Sequence, residues 1–383
     1  MPLEQRNPED LGFDASRLAR VEAAIAADIE AGRYDGAAVA VGRRGSLALF
    51  SLQGFADRDA GRALKEDDVF VTFSAGKQFT VATVLQAIER GDLQLHEPVC
   101  RVLPEFAKNG KRDVCLHHLL THTSGIAPFP PPLPPADAMN LEKVVAAICE
   151  TPIENLPGQT VRYSVLTAHA LMAEMVRRVD GGKRSFGEIV RDELFSPLGM
   201  KDTWLGAPAS LAERRCPVVV RDRSPGLLDP DLLEGLGNSL GPASEIPAGG
   251  YVTTIGDLAR FAEMLRAGGE IEGTRILSPL ILELATENRT GDAPNDLWNY
   301  AVASRGWPVF PAYLGLGFFL RGEGIFPTPF GSLASARTFG GVGAGSTAFF
   351  VDPRRDLFYA FLSTGLLEES FSQERHMRLA DLV

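Results

Sequence analysis

The chain has 383 residues, 45% of them hydrophobic, and a formal net charge of −11. That length can bury a sizeable core as one large domain or as two intimately packed lobes. The acidity argues against nucleic acid or anionic membrane as the main partner, because both attract basic surfaces.

No run of 18 apolar residues occurs, so no membrane span is expected. The first residues, from Met1 to Asn7, lack the basic start and apolar stretch of a secretory signal. Along the chain, Asp14 is placed to cap a helix whose apolar residues Leu18, Val21, Ile25 and Ile29 follow a 3.6 period. Segments 37–41 and 46–51 read as two strands around the turn Arg43-Arg44-Gly45. A strand-like stretch over 70–73 leads into a long helix that starts at Ser74, turns Val81, Leu85 and Ile88 inward, and stops at Gly91-Asp92. The middle, to about residue 240, is helical and loop-rich, with helices over 141–150 and 166–179. A stiff Pro-rich loop covers 128–135. After residue 248 the pattern predicts a helix over 255–267, strands over 314–320, 347–351 and 357–363, and a last helix over 370–383. Strands at both ends with helices between them fit an α/β fold: an antiparallel sheet built from both termini, flanked by helices, with an inserted helical lobe. Cys100, Cys115, Cys149 and Cys216 are irregularly spaced and form no C-x-x-C pair, so they read as structural thiols in a reducing compartment, with the cytoplasm as the expected location.

Three short stretches carry chemistry. Ser74-Ala75-Gly76-Lys77 is an S-x-x-K at a predicted helix start, where i, i+3 spacing sets the Lys beside the Ser hydroxyl. A hydroxyl needs a nearby base to become a nucleophile, and a desolvated Lys can serve. The helix N-terminus adds positive potential where an oxyanion would form. With 20 Ser and 7 Lys in the chain, about 0.4 such matches arise by chance, so the motif alone also fits a Ser cap followed by a surface Lys. Tyr163, after the turn Pro157-Gly158-Gln159, offers a phenol that could shuttle a proton between nucleophile and leaving group; by itself it equally fits a half-buried aromatic. The run from Phe339 to Ser346, rich in glycine and set just before a strand, lets a ligand approach backbone N–H groups, or is simply a bulged turn. No Lys follows it and no helix begins, which excludes a phosphate loop.

Taken in this order, S-x-x-K, Tyr-Ser after a Pro-Gly turn and a Gly-rich strand start resemble the serine β-lactamase-like family. That family includes class C β-lactamases, penicillin-binding DD-peptidases and family VIII esterases, and the last are the nearest in pattern. Leu119 to Ile126, Pro197-Leu198-Gly199-Met200, Ala248-Gly249-Gly250-Tyr251, Asp257 to Phe261 and Phe350-Val351-Asp352-Pro353 are similar to the family as well. The resemblance covers 11–383. It implies one catalytic unit with an α/β lobe over about 11–73 and 245–383, a helical lobe over about 74–244, and a cleft between them. It also implies a Ser74 acyl-enzyme, a Lys77/Tyr163 base system, and oxyanion donors from the backbone of Ser74 and Ala344. No cofactor and no metal are implied.

Two departures narrow the substrate. Where β-lactamases and DD-peptidases usually read Tyr-x-Asn, this chain has Tyr163-Ser164-Val165, and a Val side chain offers no hydrogen bond to a substrate amide or to the Lys. The family's Lys-Thr-Gly strand motif matches Gly341-Val342-Gly343, without a cation; Arg337, four residues earlier, is the available substitute. Losing a carboxylate clamp and an amide donor removes roughly 1.5–3 kcal/mol each from recognition of an antibiotic. Uncharged esters need neither contact. The expectation is therefore a carboxylic ester hydrolase acting on a small-molecule ester or amide. Val165, Gly341, Gly343 and Arg337 are its candidate substrate contacts, and Phe310, Tyr313, Phe319 and Phe326 candidate walls of an apolar pocket. An acyltransferase, a specialised peptidase or amidase, and a non-catalytic ligand-binding relative stay open, and the oligomeric state is not encoded.

Two other patterns compete. Gly237-Asn238-Ser239-Leu240-Gly241 fits the nucleophile elbow of α/β-hydrolases, with Asp352 or Asp356 and His376 formally available, but an elbow needs a preceding strand and a following helix. His117, His118 and His122 suggest a metal, whose sites usually add a carboxylate or second His at helical spacing with an open coordination position; because the stretch is similar to a segment of the β-lactamase-like family that carries no metal, they read as structural.

Overall fold

The computed structural model describes residues 3–135 and 137–383. Its strands, in chain order, are β1 (Gly36–Arg43), β2 (Ser46–Asp57), β3 (Arg62–Ala63), β4 (Phe70–Val71), β5 (Trp204–Leu205) and β6 (Tyr251–Thr253). They continue with β7 (Glu270–Ile271), β8 (Thr274–Arg275), β9 (Phe319–Leu320), β10 (Phe339–Val342), β11 (Ala348–Asp352) and β12 (Leu357–Thr364). Seven of them form one antiparallel sheet in the order β3-β2-β1-β12-β11-β10-β9, so the two chain termini meet at the β1–β12 seam. This is the expected sheet built from both ends of the chain.

The seam is apolar on both faces, and strand periodicity explains how. With Val39 opposite Phe361 in register, Ala38, Ala40, Phe358, Ala360 and Leu362 point to one side, into a core shared with the helices Lys77–Glu89 and Ile255–Arg266. Val39, Val41, Tyr359 and Phe361 point to the other, against the helices Ala15–Glu30 and Glu369–Ala380. The first of these is capped as its sequence suggests: the Asp14 carboxylate accepts from the N–H groups of Ser16 and Arg17 at 2.9 and 3.1 Å. Helices Leu141–Glu150 and Thr167–Val179 form at the predicted places and pack on Lys77–Glu89 or on each other.

The helix Lys77–Glu89 is buried on nearly every side, with Phe79, Val81 and Leu85 at 0% exposure and Ile88 half-buried. Phe79 sits edge-on to Phe195, Tyr251 and Phe261, at centroid distances of 5.3, 5.3 and 4.8 Å. The Thr80 hydroxyl, which no apolar pattern would place inside, is satisfied by the Pro247 carbonyl and the Tyr251 hydroxyl, both at 2.7 Å.

Three features differ from the periodicity. A second sheet, β4-β6-β5, pairs β6 with β4, about 180 positions away, and with β5, about 50 away; its strands are two or three residues long, too short to alternate visibly. The strand expected over 314–320 shrinks to β9, because the chain bends at Leu316-Gly317 (Gly317 φ 81°) and folds Leu314 back against Phe319. There Gly317 gives its carbonyl to the Gln78 amide and its N–H to the Leu120 carbonyl, each outside the sheet. And the glycine-rich run is not merely a lead-in: Phe339–Val342 is a strand, paired with β11 and β9.

Replacing Phe79 by Ala removes a fully enclosed ring with three aromatic partners and should lower stability by about 3–5 kcal/mol in a denaturant titration. Leu156→Ala, at a side chain 61% exposed, should stay within about 0.5 kcal/mol. Comparable losses in the two variants would contradict this account of the core.

Candidate functional site

The S-x-x-K stretch lies in a tight turn, Phe73–Gly76, that runs directly into the helix Lys77–Glu89. The helix proper therefore begins at Lys77, three residues later than expected. Phe73 sits in the left-handed region at φ 46°, a conformation costing roughly 1–2 kcal/mol for a residue with a Cβ, and its ring is held in an apolar cluster with Val71 and Ile246. Strain of this kind, one residue before Ser74, is a frequent mark of a functional site.

The Lys77 side chain is 2% exposed. Its Nζ reaches three oxygens: the Ser74 hydroxyl at 3.0 Å, the Val165 carbonyl at 2.8 Å and the Ala248 carbonyl at 2.8 Å. Burial lowers its pKa from 10.5 to about 7, because a desolvated ammonium loses its hydration. A neutral amine has two hydrogens and one lone pair. With the hydrogens given to the two carbonyls, the remaining position faces Ser74. Val165 therefore does hold the Lys, through its backbone; the expectation from its side chain overlooked the carbonyl.

Tyr163 is brought to the same place, with Lys77 Nζ 5.1 Å from its ring centroid and Ser74 as its hydroxyl partner. Its ring is stacked between His122 at 4.6 Å and Phe319 at 5.6 Å. Its N–H donates to the Asn295 side-chain oxygen at 3.1 Å. Burial pushes the phenol pKa up from 10, so Tyr163 stays protonated at neutral pH, where Lys77 is already about half neutral. His122 accepts the Ser164 N–H at Nδ1, 2.9 Å, and burial depresses its pKa to about 3. A neutral ring is thus a positioning wall for Tyr163 rather than a second base.

Against Ser74 and Tyr163 opens a pocket with about 620 Å³ of space between atoms, part of it continuous with solvent. Val165, Gly343 and Ala344 line it, as expected, together with Leu228, Trp298 and Phe319. Gly343 must be glycine: a Cβ there would lie 2.0 Å from Thr347 Oγ1 and 2.3 Å from the Thr72 carbonyl. Gly341 is not among the lining residues. It faces the helix side of β10, where a Cβ would strike Gln78 Oε1 at 2.1 Å, and its role is close packing there. Val342, between them, is the residue of this strand whose side chain faces the pocket. Arg337 is exposed, lies before the far end of β10 and is not among the lining residues. Six residues of extended chain reach roughly 20 Å, so Arg337 does not replace the missing cation.

Of the four proposed aromatic walls, Phe319 lines this pocket. Phe310 and Phe326 stack on each other at 6.0 Å and line an adjoining hollow that shares Trp298, Phe319 and Val342. Tyr313 packs on Phe326 from behind, with its hydroxyl on Asp292 at 3.2 Å. A wall absent from the sequence reading comes from the terminal helix: Glu369, Ser372, Gln373 and His376. Their spacing of three, four and seven residues marks one helix face. That spacing was visible, but nothing in it told which face met the cleft.

The competing patterns come apart in space. Ser239 is an exposed last residue of the helix Pro230–Ser239, with no strand leading into it, so the elbow geometry is absent. His122 belongs to the Tyr163 stack, whereas His117 and His118 gather with Cys115, one potential ligand atom from each lying within 4.8 Å of the others. His118 Nδ1 accepts the Cys115 N–H at 3.0 Å. That leaves the ring's proton on Nε2, where a metal would need the lone pair. No helix among the described residues is long and apolar enough to cross a membrane.

Comparison with known proteins agrees with this architecture. The Beta-lactamase family model matches residues 21–383. Penicillin-binding protein 4 of Amycolatopsis lactamdurans is 31% identical over 340 residues, 84% of each chain. The esterase EstB of Burkholderia gladioli is 32% identical over 214 residues, 51% of this chain and 54% of that one. The crystal structure of a family VIII carboxylesterase superposes with a TM-score of 0.80 at 23% identity, covering 96% of both chains. A match over nearly the whole chain, with the Ser and Lys of one motif and the Tyr of another brought together beside one pocket, makes this protein a serine hydrolase of the β-lactamase family.

Proposed function

We propose that this hydrolase cleaves small or medium uncharged carboxylic esters through an acyl-enzyme on Ser74. The observation that carries this reading is the pocket itself: among the described residues lining it there is no Lys or Arg, and its walls beside Ser74 are Val165, Phe319 and Val342. A β-lactam or D-Ala-D-Ala carboxylate would enter without a charged partner and lose the roughly 1.5–3 kcal/mol of such a contact. A neutral ester loses nothing. The likeness to EstB, an esterase by name, points the same way.

In this mechanism the neutral Lys77 amine takes the proton of Ser74 as its Oγ attacks the ester carbonyl. The N–H groups of Ser74 and Ala344 face the oxyanion, where a single well-placed donor contributes about 10²–10³ in kcat. Tyr163, protonated and hydrogen-bonded to Ser74, hands a proton to the departing alkoxide and recovers one through Lys77. Water then attacks the acyl-enzyme, activated by the same pair, and the carboxylic acid leaves.

Turnover of p-nitrophenyl esters from acetate to octanoate should be measurable, with little on nitrocefin, and should vanish in Ser74→Ala together with fluorophosphonate labelling. Labelling that persists in Ser74→Ala would remove Ser74 from its role. A protein that only binds ligands would show no acyl mass shift. Tyr163→Phe should lower kcat by about 10²–10⁴.

The pH dependence has a definite sign. Lys77 acts as base only when neutral, so kcat/KM should rise about tenfold per pH unit below pH 7 and level off above it. His122, neutral above about pH 3, contributes nothing in that range. Glu369, raised to about 7 by burial, is the other group titrating there. The rising limb should therefore persist in Glu369→Gln; its disappearance in that variant would take the assignment away from Lys77.

A further inference from the structure

The mechanism leaves one wall of the pocket without a task, the face of the helix Glu369–Ala380 that carries Glu369, Ser372, Gln373 and His376. Three of the four are accounted for. The Glu369 carboxyl accepts the Leu227 N–H at 3.3 Å, and the Ser372 hydroxyl accepts from Arg375 at 3.2 Å. The ring nitrogens of His376 are sealed from the cavity, and its ring packs edge-on against Phe361 at 5.3 Å.

Gln373 is different. It is 6% exposed, and its carboxamide has no hydrogen-bond partner among the described residues. Unlike the nitrogens of His376, neither Oε1 nor Nε2 is sealed. Gln373 borders both the catalytic pocket and the adjoining aromatic hollow. The other walls common to the two, Trp298, Phe319, Pro329 and Val342, are aromatic or aliphatic. An amide set among such side chains without a partner is costly to the fold, and in a native protein it calls for a reason. The little surface that Gln373 keeps lies against these two hollows, so its partner has to come from a group held there.

We propose that Gln373 is a specificity-determining residue that binds a neutral carboxamide on the arm of the ester running from Ser74 toward the aromatic hollow. The proposal rests on the ester-hydrolase reading and specifies its substrate class. One edge of the Gln373 side chain presents an acceptor, Oε1, beside a donor, Nε2. A ketone or a hydroxyl answers one of them at a time. A second carboxamide answers both, through two parallel hydrogen bonds. The surroundings select an uncharged partner: no ionisable side chain is among the described residues lining the aromatic hollow, and no Lys or Arg among those lining the pocket. A charged group enclosed beside Gln373 would lose its hydration to aromatic and aliphatic walls.

The test labels the full-length protein with p-nitrophenyl phosphonates that carry a methylene chain of graded length, on phosphorus in one series and on its ester oxygen in the other. Each chain ends in a carboxamide, a methyl ketone or an isopropyl group, three ends of nearly one shape that offer two bonds, one or none. Ser74 Oγ forms the bond to phosphorus, its proton passes to Lys77 and p-nitrophenolate leaves, so intact mass spectrometry follows the labelling rate without requiring turnover. In wild type, at one chain length, the carboxamide should label about 3–10 times faster than the isopropyl probe, with the ketone between them. That ratio should fall toward one in Gln373→Met, which keeps the length of the side chain and loses its polar edge. Gln373→Asn, which draws the same group back by one methylene, should move the preference to the next longer chain and decides the matter should the Met variant not fold. Equal labelling by carboxamide and isopropyl probes at every length in wild type overturns the subsite, as does a preference unchanged in the folded variants. Labelling by none of the probes overturns the subsite and the ester-hydrolase reading together. A carboxamide preference without turnover of any ester keeps the subsite and discards the ester-hydrolase reading; ester turnover without that preference does the reverse.

Discussion

One amine holds this site together. Lys77 Nζ is bound by a carbonyl on each side, Val165 from the segment after Tyr163 and Ala248 from the approach to β6, while its third position meets Ser74. Residues 74, 163, 165 and 248 are far apart in the chain, and this contact fixes their relative positions to within a hydrogen bond. The lowering from 10.5 to about 7 corresponds to an ammonium roughly 5 kcal/mol less stabilised, relative to the amine, than in water. The fold thus encloses a Lys that solvent would keep charged, which is what the base of the proposed mechanism requires.

The enclosure has its own supports. The helix that carries Lys77 is buried nearly all round, its Thr80 is anchored to Pro247 and Tyr251, and Phe79 locks it to three aromatic rings. The same β6 segment that supplies these partners also supplies the Ala248 carbonyl just before it. A small sheet of very short strands is therefore what sets the base. On the opposite side, Gly343 lets β10 close to within contact of Thr72 and Thr347, which brings Ala344 beside the nucleophile.

Chemistry and selectivity are separated in this arrangement. On the proposed reading, Ser74, Lys77 and Tyr163 do the chemistry, while the walls hold no Lys or Arg among the described residues to meet an antibiotic's carboxylate. Val165 presents an aliphatic side chain toward the pocket and a carbonyl toward Lys77, so losing a polar residue at this position removes a substrate contact without loosening the base. The strand motif lacks a cation, and Arg337 is out of reach. Apolar side chains and the polar face of the terminal helix together line the pocket.

Sequence alone was enough for the sheet built from both termini, the first helix with its Asp14 cap, the helices over 141–150 and 166–179, and the convergence of Ser74, Lys77 and Tyr163. Each of these rests on local periodicity, a capping side chain or a motif of fixed spacing. It could not supply the β4-β6-β5 sheet, whose strands are too short to show a period. It could not reveal that Val165 acts through its carbonyl, because backbone atoms are the same at every position. Gly341 and Gly343 look equivalent in the chain and share a face, yet Gly341 packs on Gln78 within the strand while Gly343, just past its end, lies against Thr72 and Thr347 at the pocket, and only that packing tells them apart. His376 was visible as a late histidine on a helix. That its helix face turns into the catalytic pocket was decided by how the helix docks on β1 and β12, a long-range contact that no local pattern records.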